Sequence, residues 1–189
     1  MFKLIFSLLL FLSSIISFSQ TKATVTGISD GDTITVLLFD KSKLKLRLAE
    51  VDCPEKGQAF AKNAKQFTSE QVFGKQIVFF KTDKDRYGRD IAKIYYDNGK
   101  YLSEQLIKNG LGWWYSSYSK DRNLEVLEMK ARSKKIGLWK DKNVISPWDY
   151  RRIKRLEAEK KRLNKNKSLF FKPDWAFKAT ILHVKPFVR

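Results

Sequence analysis

The chain has 189 residues, with 38 Lys and Arg against 20 Asp and Glu, one His and one Cys. At ~100–200 residues per domain this length fits one domain with appendages, and a 43% apolar fraction with five Trp and 14 Phe is enough for a packed core. One Cys excludes an intramolecular disulfide and a cysteine-based zinc centre, and one His, far out in the tail, argues against a Ser-His-Asp triad or a multi-histidine metal site. Carboxylates, guanidinium groups, hydroxyls and metals bound through oxygen remain to carry chemistry. The formal charge of +18 favours polyanionic partners, nucleic acid first and anionic membrane second. Residues 151–189 alone hold 13 Lys and Arg against three Asp and Glu.

In chain order, the first element is a leader. Met1-Phe2-Lys3 is a short positive region, residues 4–18 are apolar, and Ser17-Phe18-Ser19 places small residues before the polar Gln20-Thr21-Lys22. This reads as a secretory signal peptide over 1–19. The competing reading is an uncleaved anchor, because 4–21 carries no charge and approaches the ~18 residues a spanning helix needs. The polar exit favours cleavage, and the mature protein is expected to be secreted, or to work in the periplasm or cell envelope.

Residues 20–150 read as the main domain. Alternation or β-branched enrichment predicts strands over 24–28, 33–39 and 43–48, the last with Leu44, Leu46 and Leu48 alternating with Lys43, Lys45 and Arg47. Apolar residues Phe60, Ala64, Phe67 and Val72 predict a helix over 58–73 that Gly74 ends. Strands follow over 76–80 and 91–96, separated by a polar loop over 82–89, and Asp97-Asn98-Gly99-Lys100 is a tight turn. A short helix ends at Gly110, and Leu124, Leu127 and Ala131 mark a third helix that Gly137 stops. Five short strands with a helix after the third predict an α+β, mainly β, architecture: a five-stranded OB-fold barrel flanked by three helices. Ser146-Pro147-Trp148-Asp149 then opens a basic helix with a thin apolar stripe, Ile153, Leu156 and Leu163. In the tail, Leu169-Phe170-Phe171 and 175–188 are apolar without a clear period.

Acidic side chains cluster where strands begin and end. Asp32 opens the second strand; Asp52 and Glu55 flank Cys53-Pro54 after the third. Carboxylates so placed cannot enter a core unpaired. Asp32, Asp52 and a backbone carbonyl offer the hard oxygen ligands that Ca²⁺ prefers, while the bland alternative is a turn at Asp30-Gly31-Asp32 with Asp52 as a cap. Arg47 and Arg89 sit where an OB-like barrel brings its strand ends to one mouth. Two guanidinium groups, a cation and a carboxylate suit phosphodiester cleavage, whose transition state gains negative charge and whose attacking water needs orientation.

Asp30-Gly31-Asp32-Thr33, Arg47-Leu48-Ala49-Glu50-Val51-Asp52-Cys53-Pro54-Glu55 and Asp85-Arg86-Tyr87-Gly88-Arg89 resemble, in order and spacing, the motifs of the staphylococcal nuclease family. The likeness covers about residues 22–152 and includes Gly110-Leu111-Gly112-Trp113-Trp114-Tyr115 and Gly137-Leu138-Trp139. The resemblance implies calcium-dependent hydrolysis of DNA and RNA, as an endo- or exonuclease, to 3′-phosphate ends. Carried over by position, Asp32 and Asp52 bind Ca²⁺ with the backbone carbonyl of Cys53. Glu55 is the general base or holds the attacking water, Arg47 and Arg89 bind the scissile phosphate, Tyr87 contacts a terminal phosphate, and Tyr118 offers a platform for a base. The sequence departs from the best-known member at Cys53, where that member has Thr, and in the short Lys56-Gly57 loop.

A reading from another class makes the chain a single-strand-binding OB module without catalysis; Asp32, Asp52 and Glu55, which repel phosphates, speak against it. The basic tail suggests contact with an anionic membrane or polymer, and a monomer is expected.

Overall fold

A computed structural model of the protein describes residues 20–170, with side chains through Asn166. The expected leader, 1–19, and the apolar stretch from 171 onward lie outside the described residues. In chain order the elements are strands β1 (Gln20–Asp30), β2 (Thr33–Leu37), β3 (Lys43–Leu48) and β4 (Val51–Asp52), helix α1 (Ala61–Val72), strands β5 (Gln76–Lys84), β6 (Asp90–Tyr96) and β7 (Lys100–Tyr101), helix α2 (Leu102–Lys108), strand β8 (Trp113–Trp114), helix α3 (Arg122–Ser133), a single 3₁₀ turn (Gly137–Lys140) and helix α4 (Pro147–Phe170).

The strands close on themselves. β1 is long enough to serve two neighbours: Thr24 to Asp30 pair with β2, and Gln20 to Thr24 pair with β5. Register shifts between Val25 and Gly27 and between Ile28 and Asp30 bend it between them, as bulges do in small barrels. β2 pairs with β3, β5 with β6, and a parallel pairing of Leu46 with Asp90 joins β3 to β6. The result is a five-stranded closed barrel, the OB-fold expected from the sequence. Closure leaves these strands without the unpaired edges that invite aggregation.

Alternation decides what fills the barrel. On β3, Leu46 and Leu48 are fully buried while Lys45 and Arg47 face outward. Ile34, Val36, Phe79 and Ile94 meet the two leucines inside. α1 seals the barrel with Ala64, Thr68 and Val72. It begins at Ala61 rather than 58, because Phe60 adopts a left-handed φ of 63° and turns its ring toward a second cluster of Trp113, Ala131, Leu138 and Trp139.

Two other expectations shift. Residues 82–84 are not loop: β5 continues through Lys84, with Asp83 opposite Ile91 and Lys84 opposite Asp90. Their polar side chains sit on the exposed outer surface, so the backbone ladder runs on without an apolar signal. Gly137 does not stop α3, which ends at Ser133; its φ of 58° starts the 3₁₀ turn instead. There the chain passes so close to the end of α2 that a Cβ on Gly137 would lie 2.3 Å from the Gly110 carbonyl oxygen. The same carbonyl accepts the Leu138 N–H at 2.9 Å.

By residue contacts the chain divides into two units, with the boundary between Pro147 and Trp148. Among the described residues no helix is long and apolar enough to cross a membrane.

Gly137→Ala combines a strained φ with a backbone clash. It is expected to destabilise the fold by about 2 kcal/mol or more, read as a lowered urea midpoint with an unchanged slope.

Candidate active site

The turn between β1 and β2 carries Asp30-Gly31-Asp32, and it fits tightly into its surroundings. A Cβ on Gly31 would stand 2.7 Å from the Ala64 Cβ and 2.9 Å from the Cys53 Cβ. Thr68 Oγ1 on α1 donates to the Gly31 carbonyl at 2.6 Å. Only glycine lets the hairpin end come this close to α1 and to the chain after β4. The β2–β3 register then sets Arg47 opposite Thr33, one residue beyond Asp32.

Arg47 reaches both carboxylates. Its Nη1 donates to Asp32 Oδ1 at 2.9 Å and its Nη2 to Asp52 Oδ1 at 2.5 Å. Asp32 also accepts the Cys53 N–H on Oδ2 at 2.9 Å and the Thr33 hydroxyl on Oδ1 at 3.2 Å. Asp32 is 4% exposed and Asp52 fully buried. Burial by itself lowers the pKa of Arg47, but the charges of Asp32 and Asp52 outweigh it and raise the pKa, so the guanidinium stays charged. Burial raises the Asp32 pKa, Arg47 opposes that, and the nearby charge of Asp30 adds to it. Burial also pushes the Cys53 thiol well up, reinforced by Asp32 and Asp52, which keeps it protonated and inert.

Asp52 is held from the far side by a small sheet. β4 pairs with β8, Asp52 opposite Trp113 and Val51 opposite Trp114. Trp113 is buried edge-on against Trp139, ring centroids 5.2 Å apart. Trp113 is therefore a packing and backbone support of the site.

Glu55 is half-buried on a short, braced loop. Its N–H donates to Gln58 Oε1 at 2.7 Å, Gln58 N–H donates back to the Glu55 carbonyl at 2.8 Å, and Gln58 Nε2 donates to the Ile145 carbonyl at 3.0 Å.

Arg89 enters from the β5–β6 loop, immediately before Asp90, the residue paired with Leu46. It thus emerges beside the strand that carries Arg47. Its Nε donates to Asp85 Oδ2 at 2.6 Å, while Asp85 Oδ1 accepts the N–H groups of Tyr87 and Arg89 at 2.8 and 2.9 Å. Burial raises the Asp85 pKa, but the bonds from Arg89 and Tyr87 together outweigh it and hold the carboxyl below its usual range. The Tyr87 ring is 71% exposed, with the Arg86 and Arg89 guanidinium carbons 4.9 and 5.7 Å from its centroid. Tyr118, 68% exposed, follows β8 with its ring 4.7 Å from that of Tyr115.

The structure thus joins Asp32, Arg47, Asp52 and the Cys53 backbone in one bonded group. It sets Arg89 and Tyr87 on the neighbouring loop and exposes Tyr118 beside β8. Three further residues escaped the sequence reading. Asp30 was visible only as a turn residue, yet its Oδ1 is buried without a hydrogen-bond partner. Asp85 orients Arg89, and its signal was the four-residue spacing between them. Glu50 takes a left-handed φ of 67° and gathers Lys93 Nζ, Tyr101 Oη and Ser119 Oγ at 3.0, 2.9 and 3.1 Å. Its carbonyl accepts the Tyr115 N–H at 3.0 Å, so it fixes the turn from β3 into β4; a lone acid between Ala49 and Val51 gives no warning of this.

Among the described residues no three His, Cys, Asp or Glu side chains form a ready metal cage. The donor chemistry nonetheless suits a hard cation: Asp32 and Asp52 share one cationic partner, and the orphaned Asp30 Oδ1 lies buried beside them.

Fold and site together define an OB-fold protein with an arginine-bridged carboxylate pair at one end of its barrel. The family model for staphylococcal nuclease homologues matches residues 45–141. The chain is 39% identical over 155 residues to an uncharacterized endonuclease of Haemophilus influenzae, covering 81% of this chain and 86% of that protein. It is 33% identical over 149 residues to a micrococcal nuclease of Shigella flexneri, covering 74% and 85%. A staphylococcal-like nuclease of Arabidopsis thaliana is 38% identical over 113 residues, covering 60% of this chain and 35% of that one. The chain belongs to the staphylococcal nuclease homologue family.

Arg47→Met leaves buried carboxylates without their cation and is expected to cost about 3–5 kcal/mol in metal-free protein; Asp52→Asn in the same chain recovers part of the loss in urea denaturation. The depressed Asp85 pKa implies a contribution present above the ordinary carboxylate pKa and lost as pH falls through the lower folded value. The Arg89 Nε–H resonance is therefore expected to stay protected from exchange at neutral pH, to lose protection only once the pH has fallen below the ordinary carboxylate pKa of about 3.9, and to lose it at neutral pH in Asp85→Asn.

Proposed function

We propose that the protein is a calcium-dependent nuclease that hydrolyses DNA and RNA phosphodiester bonds and leaves 3′-phosphate ends. The observation that carries this reading is the Arg47 guanidinium bonded to both Asp32 and Asp52 at the mouth of a closed barrel. A module that only binds nucleic acid has no use for buried carboxylates there, since they repel its ligand.

Asp32 and Asp52 would hold Ca²⁺ with the Cys53 carbonyl, and Asp30 would stand behind them. When bound, the cation supplies positive charge at the scissile phosphate. The chain's own residues do the rest. Glu55, on its braced loop, orients or deprotonates the attacking water. Arg47 has two of its five N–H donors on the carboxylates, which fix its plane before substrate arrives; its remaining donors and those of Arg89 stabilise the charge that develops on the phosphoryl oxygens. Tyr87 meets a terminal phosphate and Tyr118 stacks on a base. Preorganisation is the point: donors locked by Asp32, Asp52 and Asp85 need no reorientation as charge grows.

The test is hydrolysis of denatured DNA and of RNA by the purified protein, with added Ca²⁺ against a chelator. Cleavage in calcium only, with 3′-phosphate ends, is the expected result. Glu55→Gln is expected to lower kcat about 10²–10⁴-fold with an unchanged melting temperature, and Arg89→Ala about 10²–10³-fold with only the small drop in melting temperature that loss of the Asp85 ion pair brings. Tight binding without cleavage in either condition overturns the proposal in favour of the binding module. We also propose export from the cytoplasm, on the apolar leader with small residues before Gln20; a mature N-terminus at Gln20 in the external fraction is expected, and an intact Met1 there rejects cleavage.

A further inference from the structure

We propose that one face of α4 is a docking track for the phosphate backbone of nucleic acid, which under the nuclease reading above is the substrate polymer. At 3.6 residues per turn, Arg151, Lys154, Arg155, Lys161, Arg162 and Lys165 fall within about 120° of the helix circumference, with Ala158 in the middle of the stripe. At 1.5 Å per residue the track from Arg151 to Lys165 is about 21 Å long, enough to follow several successive phosphates of one strand. The acidic residues of the helix lie off this face. Asp149 pairs with Arg152 at 3.0 Å, and Glu157 reaches in to pair with Lys154 at 3.3 Å.

The arrangement favours a polymer over a membrane. Ile153, Leu156 and Leu163, which are 39, 59 and 58% exposed, sit on the opposite side of the helix from the cations. A helix lying in a lipid interface buries its apolar face. Here that would turn the six cations away from the headgroups and into water. A phosphate backbone needs no apolar contact and can be met by the cationic face alone. Because the contacts are to phosphate, the track adds affinity without sequence preference.

The test uses the full chain carrying Arg155→Gln, Lys161→Gln, Arg162→Gln and Lys165→Gln together. Glutamine keeps helix propensity, so an unchanged far-ultraviolet dichroism spectrum is the control for folding. Anisotropy of a fluorescent DNA duplex is followed across a range of KCl with chelator present, so that no cleavage intervenes. The slope of log affinity against log salt is expected to become shallower by about 3–4, with at least a tenfold loss of affinity at the lowest salt. Turnover of a dinucleotide in calcium is expected to stay unchanged. An unchanged slope and affinity overturn the proposal. So does a variant that keeps its DNA slope but loses retention on phosphatidylglycerol vesicles, which assigns the face to lipid. A wild-type chain that cleaves nothing but shows the slope difference upholds the track while rejecting the nuclease reading.

Discussion

The arginine that bridges two buried carboxylates is the constraint around which the rest of the site is built. Asp32 and Asp52 come from chain segments 20 residues apart, and neither charge is tolerable where it lies without a partner. Arg47 satisfies both only because three conditions hold together. β2 and β3 pair in the register that sets Arg47 opposite Thr33. Gly31 lets the hairpin end close against α1 and Cys53. Glu50, in its left-handed conformation, returns the chain into β4. A one-residue slip of β3 would turn Arg47 into the barrel and Leu46 or Leu48 toward the carboxylates, so the register that buries the core is the one that assembles the site.

Support for the site comes in layers that reach the helices. The β4–β8 pairing holds Asp52 against Trp113, and Trp113 packs on Trp139 in the second apolar cluster. The 3₁₀ turn carrying Trp139 is placed by the close passage of Gly137 over Gly110. Glu50 ties the β3–β4 turn to β6 through Lys93, to β7 through Tyr101 and to the segment after β8 through Ser119 and Tyr115. A group of buried charges is held rigid because its backbone is fixed by apolar packing on one side and the Glu50 hydrogen bonds on the other.

Charge is distributed by role. Within the barrel unit three basic side chains near the site are committed to acids: Arg47 to Asp32 and Asp52, Arg89 to Asp85, Lys93 to Glu50. Such pairing fixes geometry. In α4 six of the basic side chains, Arg151, Lys154, Arg155, Lys161, Arg162 and Lys165, form a face of their own. That arrangement suits diffuse attraction to a polyanion, where geometry matters little and number of contacts matters most.

The sequence by itself determined the barrel strands and the main helices, because those signals are local, and it picked out Asp32, Arg47, Asp52, Glu55 and Arg89 as candidates. Alternation reports one buried face, glycines report turns, and charged residues among apolar strands stand out. It did not determine the two-residue strands β4 and β8, which are too short to carry a period and exist only because the barrel and helices bring them together. Nor did it find residues 82–84 in β5, where an exposed surface removes the apolar signal while pairing with β6 continues. Only the tertiary structure decided that Arg47 binds both aspartates at once, that one oxygen of the half-buried Asp30 is shut away from water, that Asp85 aims Arg89 and that Glu50 is a hub. Each depends on distances between segments far apart in the chain, and a buried charge declares its partner only when folding removes the water that would otherwise solvate it.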